Sequence, residues 1–123
     1  MPSYVRIHTD EEGESHFSEV PIHLKEVAYA PPAPPMRVSS TSDAERLVFV
    51  GAGPGWGEGV WHPSPVRQFA FILAGAFEVT VSDGETRTFR QGDVVLLEDT
   101  EGKGHRTLVT SDRPALAAFC HLR

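Results

Sequence analysis

Apolar and polar residues alternate in short segments along the last two thirds of the chain. Segments of this length, separated by turn residues, predict β-strands. We expect strands at 3–9, 46–50, 60–62, 66–74, 76–82, 85–90, 93–98, 105–110 and 115–121. A clean helical period is missing throughout, which excludes a helix bundle and disfavours a doubly wound α/β domain.

Glycine and proline mark the turns between these predicted strands. Asp83-Gly84, between two alternating segments, predicts a two-residue hairpin. Glycine and proline number 11 and 10 of the 123 residues, which is more than an average soluble protein contains. Evenly spaced short strands with such turns predict an all-β sandwich or barrel.

The first third of the chain is less regular. Residues 10–16 predict an acidic turn, residues 17–29 alternate only loosely, and prolines within 31–35 predict a stiff extended segment. This segment is either a linker or a strap laid across the domain. We expect a strap, because so few residues cannot build a second core. The chain is then one domain over 1–123, with the N-terminal strand and strap at 1–45 and the barrel at 46–123.

Residues 69–74 are apolar at every position. An antiparallel strand with one face in water would alternate, so we expect both faces of this strand to be covered. Alternate residues share one face, which places Gln68, Ala70 and Ile72 on the inner side. The N-terminal strap or a second subunit would cover the outer side, and we expect a homodimer.

Charge and cysteine content exclude several classes of partner. The chain carries 11 basic and 17 acidic residues, a net charge of −6, so nucleic acid and anionic membranes are poor partners. The longest apolar runs have six residues, too few to span a membrane. The first residues do not resemble a signal peptide, and the lone Cys120 fits a reducing cytoplasm. We therefore expect a cytoplasmic protein without thiolate zinc clusters.

Four polar side chains are candidates for chemistry inside the barrel. His62, Ser64 and Gln68 have the same parity as Ile72, so an unbroken extended chain would place them on the inner face. Together with His105 they offer two imidazoles and an amide oxygen, which suit zinc, iron, nickel or manganese. The alternative is a metal-free polar cavity in which the histidines only form hydrogen bonds.

Other residues near these positions have two interpretations each. Glu98 and Asp99 either complete a metal site or are solvated turn residues. Lys103, between two glycines, is either an anion-binding or general-acid group or a solvated loop lysine. Trp56 and Trp61 either line a ligand pocket or anchor the core or an interface.

The residues around His62 resemble the first motif of the cupins. That motif runs His-x-His, then Glu, then Gly, and this chain has His62-Pro63-Ser64, then Gln68, then Gly75. Ser64 thus stands at the second histidine of the motif, and Gln68 stands at the glutamate.

The residues before His105 resemble the second cupin motif. Gly92-Asp93 begins it, Glu98-Asp99-Thr100 replaces the usual Pro-x-Gly, and His105 stands at the motif histidine. Sixteen residues separate the glycines of the two motifs, an interval typical of small cupins. The whole pattern is similar to RmlC-like, single-domain bacterial cupins of unassigned function.

This resemblance implies an all-β jelly roll, the cupin double-stranded β-helix, here with an N-terminal extended strap. It implies that His62, Gln68 and His105 hold a divalent metal. We expect a ligand pocket that includes Ser64, Trp61, Ile72, Glu98 and Lys103.

The expected function is binding of a small molecule inside the barrel. A divalent-metal-dependent enzyme that acts on a small polar substrate, of the isomerase, lyase or dioxygenase type, is one form of it, and no residue is assigned a catalytic role. The alternative is a non-catalytic, metal-free ligand-binding module. A third hypothesis is that the pocket has lost its ligands and the barrel now serves an assembly. The three hypotheses stay open because the fold does not fix the function.

Overall fold

A computed structural model describes residues 2–57 and 59–123. The described residues form β-strands and turns, with no helix among them, so nothing in this part of the chain is a helix that could cross a membrane. The strands are Ser3–Thr9 (β1), Ser15–Pro21 (β2), Lys25–Val27 (β3), Met36–Val38 (β4), Ala44–Ala52 (β5), Trp61–His62 (β6), Gln68–Ala74 (β7), Ala76–Val81 (β8), Thr86–Arg90 (β9), Val94–Leu97 (β10), His105–Val109 (β11) and Ala115–Leu122 (β12).

Two sheets build the barrel. The larger has six strands in the order β2-β1-β10-β7-β12-β5, and the smaller has four in the order β6-β11-β8-β9. Their facing sides share one apolar core that includes Ile7, Val81 and Phe89. Every pairing within the two sheets is antiparallel except that of β1 with β10. The expected all-β jelly roll is confirmed.

The strands of the barrel lie within a few residues of the predicted ones. The Asp83-Gly84 hairpin is confirmed between β8 and β9, where Gly84 has a φ of 101°. The predicted strand at 46–50 extends to nine residues as β5. The alternating segments therefore located most of the sheet, because strands such as β7 bury one face, although β5 is exposed along eight of its nine residues.

The N-terminal region contains strands that alternation did not define. The acidic turn ends earlier than expected, since β2 begins at Ser15 and pairs with β1. Both strands belong to the six-stranded sheet. The proline-rich segment lies between β3 and β4, which pair only with each other. Residues 39–43 and most of 22–38 are exposed, so this segment leaves the outer side of β7 uncovered.

Candidate functional site

A cavity of about 330 Å³ lies between the two sheets. Most of its wall is apolar, formed by side chains of both sheets that include Ile72, Val79, Leu97 and Phe119. Its polar lining residues include His62, Ser64, Gln68 and His105. None of the described residues lining it is Lys, Arg, Asp or Glu. The cavity therefore suits a mainly apolar small molecule with a polar group.

His105 is held by a buried carboxylate. It begins β11 and is almost completely buried, and its Nδ1 lies 2.5 Å from Oδ2 of Asp99. Because a carboxylate only accepts, Nδ1 carries the proton of this hydrogen bond. The nitrogen left free is Nε2, and the ring lines the cavity. This arrangement fixes the orientation of the imidazole.

His62 faces His105 across a strand pair. The two residues are direct partners in the pairing of β6 with β11, and their ring centroids are 5.0 Å apart. His62 Nδ1 donates to the backbone carbonyl of Pro63 at 2.9 Å, so Nε2 is again the nitrogen that this hydrogen bond leaves free. Two imidazoles with free Nε2 atoms therefore lie together on the cavity wall.

Gln68 and Ser64 form a short chain of hydrogen bonds beside the histidines. Gln68 Nε2 donates to Ser64 Oγ at 3.1 Å, and Ser64 Oγ donates to the carbonyl of Val66 at 2.7 Å. Ser64 N also donates to the carbonyl of Asp99 at 2.9 Å. Both side chains are buried. The amide is thereby oriented through its nitrogen, and its Oε1 is free to accept or to coordinate.

Gly104, directly before His105, allows a close approach between β6 and β11, the strands that carry the two histidines. Gly104 has a φ of 71°, and a Cβ built on it would overlap the backbone of His62 and Pro63. Its carbonyl accepts a hydrogen bond from Ser15 Oγ at 2.6 Å. Only glycine combines this backbone conformation with this contact.

The structure places three of the expected pocket residues away from the cavity. Trp61 neighbours His62 with opposite parity, and the guanidinium of Arg106 lies 5.2 Å from its ring centroid. It lines a separate surface pocket with Ser82 and Lys103. Lys103 is exposed and pairs with Glu14. Neither side chain lines the barrel cavity.

Glu98 is the third of these residues. It lies between the side chains of Arg6 and Arg67, with Arg67 Nε 2.6 Å from its Oε2. Partial burial acts to raise its pKa, but the hydrogen bonds from Arg67 and Arg6 outweigh that effect and leave the pKa of Glu98 lowered. Glu98 is thus a charged group neutralised outside the cavity. Arg67 thus lies outside the cavity and forms an ion pair with Glu98.

Asp99 has a clearer role than the sequence assigned to it. Its side chain has no exposed surface, and it contacts His105 rather than solvent. The alternation of buried Val95 and Leu97 extends to Asp99, and this parity was the available signal. Trp56, from the glycine-rich loop, does line the cavity.

The donor atoms that could hold a metal come from three side chains. Within 2–57 and 59–123, no three His, Cys, Asp or Glu side chains form a metal-binding group. The available set is therefore His62 Nε2, His105 Nε2 and Gln68 Oε1. Each of these side chains is oriented by a hydrogen bond through its other polar atom, the arrangement usual around metal-ligating histidines. Three protein ligands with an open position fit a catalytic type of metal site.

Comparison with known proteins identifies the family. The cupin-domain family model matches residues 48–120, which is more than half of the chain. The chain therefore belongs to the cupin family, and the resemblance carried by the His62 and His105 motifs is confirmed. No curated protein matches it.

Solved structures share the fold at low sequence identity. The cupin domain of Schizosaccharomyces pombe Cnp3 is 13% identical, with a TM-score of 0.51 over 99% of this chain and 84% of that one. KdgF from Halomonas sp. is 22% identical, with a TM-score of 0.47 over 100% and 96% of the two chains. An RmlC-like cupin from Shewanella frigidimarina is 15% identical, with a TM-score of 0.48 over 97% and 86%. These similarities concern the fold alone.

Proposed function

We propose that this cupin binds a small, mainly apolar molecule inside the barrel, with a divalent metal ion held by His62, Gln68 and His105. One observation carries the proposal: all three side chains line the cavity and are oriented through one polar atom, so that a second is free. Such preorganisation lowers the cost of ordering ligands around an ion.

Free Cys120 is consistent with a reducing, cytoplasmic location.

The charge of the cavity wall restricts the ligand. Because no charged side chain of the described residues lines the cavity, an anionic group would be poorly stabilised there without an ion. A bound metal would act as a Lewis acid toward a ligand oxygen. Asp99 holds the ring of His105 in place, and Ser64 holds the amide of Gln68. The apolar wall excludes water from the rest of the ligand.

A metal-free module for a neutral molecule is the second candidate, and the same wall supports it. A neutral ligand with one hydroxyl or carbonyl group would find the histidines and the amide as hydrogen-bonding partners. Its apolar body would contact the cavity wall. The two candidates differ in the charge of the ligand and in the need for an ion.

Metal analysis and calorimetry test the proposal. Protein purified without a histidine tag is stripped with a chelator and titrated with Zn²⁺, Mn²⁺, Fe²⁺ and Ni²⁺. We expect about one equivalent to bind in wild type and at least about tenfold weaker binding in His62→Ala/His105→Ala. His23→Ala, which removes an exposed histidine of the N-terminal segment, is the matched control and should bind like wild type.

Two outcomes would overturn parts of the proposal. Less than about one tenth of an equivalent after reloading, for every ion, rejects the metal site and leaves the metal-free candidate. A thermal-shift screen with neutral and anionic small molecules then distinguishes the ligand classes. If the double variant equals wild type toward both ions and small molecules, the barrel cavity is not the binding site.

A further inference from the structure

Trp56 lies at the boundary between the barrel cavity and the protein surface. It is 53% exposed, and it also lines the cavity. An adjoining surface pocket shares three lining residues with the cavity, namely Trp56, His62 and Thr107. These three residues therefore frame an opening through which the cavity meets solvent.

The opening lies on the side of the barrel where the chain passes from β5 to β6. β5 ends the six-stranded sheet, and β6 ends the four-stranded sheet. Register places Val50 of β5 beside Ala117, which lines the cavity, so this face of β5 is the inner one. Val48 and Val50 lie on that face and are nevertheless 42 and 41% exposed. The barrel is therefore open along the inner face of β5.

Backbone contacts with β11 hold Trp56 at this opening. Gly55 N donates to the carbonyl of Val109, and Val109 N donates to the carbonyl of Trp56, both at 2.9 Å. A Cβ built on Gly57 would overlap the carbonyl of Thr107, so the backbone beside Trp56 packs directly on β11. The indole is thus placed at the opening by its backbone and does not need a bound ligand to bring it there.

Three rings that line the cavity lack an aromatic neighbour. Trp56, Phe77 and Phe119 pair with no other ring in the described part of the chain, whereas Phe89 packs against Phe17. Aromatic rings attract one another in edge-to-face and offset-stacked arrangements, beyond the effect of burying apolar area. A planar ring of a ligand would supply the missing neighbour.

The size of the cavity is consistent with such a ligand. An apolar cavity of about 150 Å³ takes up one benzene molecule. The barrel cavity, at about 330 Å³, therefore has room for one or two rings with a small polar substituent.

We propose that the ligand of this cupin carries a planar aromatic ring, that it enters between β5 and β6, and that Trp56 selects it by contacting that ring. The inference rests on the proposed function, because it concerns the ligand of the same cavity. The polar group of the ligand lies toward His62 and His105, and its ring lies against the indole. Trp56 thereby determines specificity, and it is not one of the proposed metal ligands.

Tryptophan fluorescence tests where the ring of the ligand lies, because the chain has two tryptophans. In Trp61→Phe only Trp56 emits, and benzyl alcohol should change its emission in a saturable manner. In Trp56→Phe only Trp61 emits. Because Trp61 lines a surface pocket and not the cavity, benzyl alcohol should leave its emission unchanged. A saturable change at Trp61 but not at Trp56 overturns the inference.

A pair of matched probes tests the selection of an aromatic ring. Cyclohexylmethanol has the carbon skeleton and the hydroxyl group of benzyl alcohol but no aromatic ring, and ligand-observed NMR gives the ratio of the two affinities. Trp56→Leu keeps an apolar side chain at the opening, and it should lower the preference for benzyl alcohol about two- to tenfold. Trp56→Phe should retain most of that preference. Trp61→Leu is the matched control and should keep the wild-type ratio.

The outcomes distinguish this inference from the proposed function. Trp56 is half exposed, so circular dichroism should show folded variants. The inference is overturned if wild type does not bind benzyl alcohol, or if its ratio equals that of Trp56→Leu. Zn²⁺ binding that depends on His62 and His105 would still support the proposed metal site in either case. If Trp56→Leu lowers the ratio but wild type binds no metal ion, the metal site is rejected and the role of Trp56 is supported.

Discussion

The Nδ1 of His105 lies 2.5 Å from Oδ2 of Asp99, a side chain with no exposed surface. The other carboxylate oxygen of Asp99 is buried and has no hydrogen-bond partner within the described ranges. A carboxylate is costly to bury, and this one is compensated mainly by the imidazole. The pair therefore defines one orientation of His105 and holds a proton on its Nδ1.

Asp99→Asn tests that role of the carboxylate. An asparagine amide can turn its NH₂ group toward Nδ1, which would move the proton of His105 to Nε2. We expect the ring to change tautomer and the affinity for Zn²⁺ to fall about 10- to 100-fold. Nitrogen-15 spectra of labelled histidines report the tautomer, and competition with a chromophoric chelator reports the affinity.

Asp112→Asn is the control for this experiment, since Asp112 is an exposed turn residue. It should change neither the tautomer nor the affinity. If Asp99→Asn retains the Nδ1–H tautomer and the wild-type Zn²⁺ affinity, the carboxylate does not set the state of His105.

Gly104→Ala should disturb the close approach of β6 and β11, the strands that carry His62 and His105. Its φ of 71° is costly for alanine, by about 1 to 2 kcal/mol, and the new Cβ would overlap the backbone of His62. We expect a loss of about 2 to 4 kcal/mol in the free energy of unfolding, because the overlap adds to the backbone cost. Urea denaturation followed by tryptophan fluorescence measures it.

Variants at two other glycines separate the cost of a positive φ from the cost of the steric overlap. Gly84 has a φ of 101° and open space around its Cβ position, so Gly84→Ala should show the backbone cost alone. Gly53 has open space and no positive φ, so Gly53→Ala should be close to neutral. Equal losses at Gly84 and Gly104 would mean that the contact with His62 contributes nothing.

The sequence predicted most strands of the two barrel sheets and missed β2 and the short strands β3 and β4. β7, β8 and β12 alternate or are apolar because they face the core, and their limits were predicted within a few residues. β3 and β4 have three residues each and contact no core. Such short strands leave no periodic pattern, so only their pairing in space defines them.

Parity placed some site residues correctly and could not place others. Ser64, Gln68 and Ile72 share one parity and all line the cavity. Glu98 and Asp99 are adjacent carboxylates, and only the parity that Asp99 shares with Val95 and Leu97 indicates which one faces inward. The ion pair of Glu98 with Arg6 has no such signal, because Arg6 reaches Glu98 through the parallel pairing of β1 with β10. A pairing between such distant segments is not visible in a local pattern.

Glu98→Gln should cost little stability at neutral pH. Its two arginine partners are 40 and 46% exposed, so we expect a loss of about 0.5 to 1 kcal/mol in the free energy of unfolding. Burial opposes the charge of Glu98, yet the hydrogen bonds from Arg67 and Arg6 leave its pKa below the ordinary 4.5. A lowered carboxyl pKa contributes stability that is present above 4.5 and is lost as pH falls through the folded-state value.

Urea denaturation across the acidic range measures this effect. The difference between wild type and Glu98→Gln should shrink as pH falls below 4.5. Glu26→Gln, in the exposed hairpin, provides the control and should follow wild type. A difference that stays constant at all pH values would show that the charge of Glu98 is not what the arginines stabilise.

His16, at the start of β2, forms a hydrogen bond with an aspartate in each of two turns. Its Nε2 lies 2.7 Å from Oδ2 of Asp10 and its Nδ1 lies 2.7 Å from Oδ2 of Asp83. Both partners are acceptors, so the doubly protonated ring satisfies both hydrogen bonds. The hydrogen bonds to Asp10 and then Asp83 raise the pKa of His16 above 6.5. A raised histidine pKa contributes stability that is complete below 6.5 and is lost as pH rises through the folded-state value.

The free energy of unfolding of wild type should therefore decrease as pH rises above 6.5, and His16→Gln should lack this component. Chemical denaturation at a series of pH values measures both slopes. His23→Gln, which changes an exposed histidine of the N-terminal segment, should retain the wild-type slope. Because His16 is partly exposed, added salt should reduce the effect. If His16→Gln and wild type lose stability in parallel above pH 6.5, another group is responsible and the contacts with Asp10 and Asp83 do not favour the charged ring.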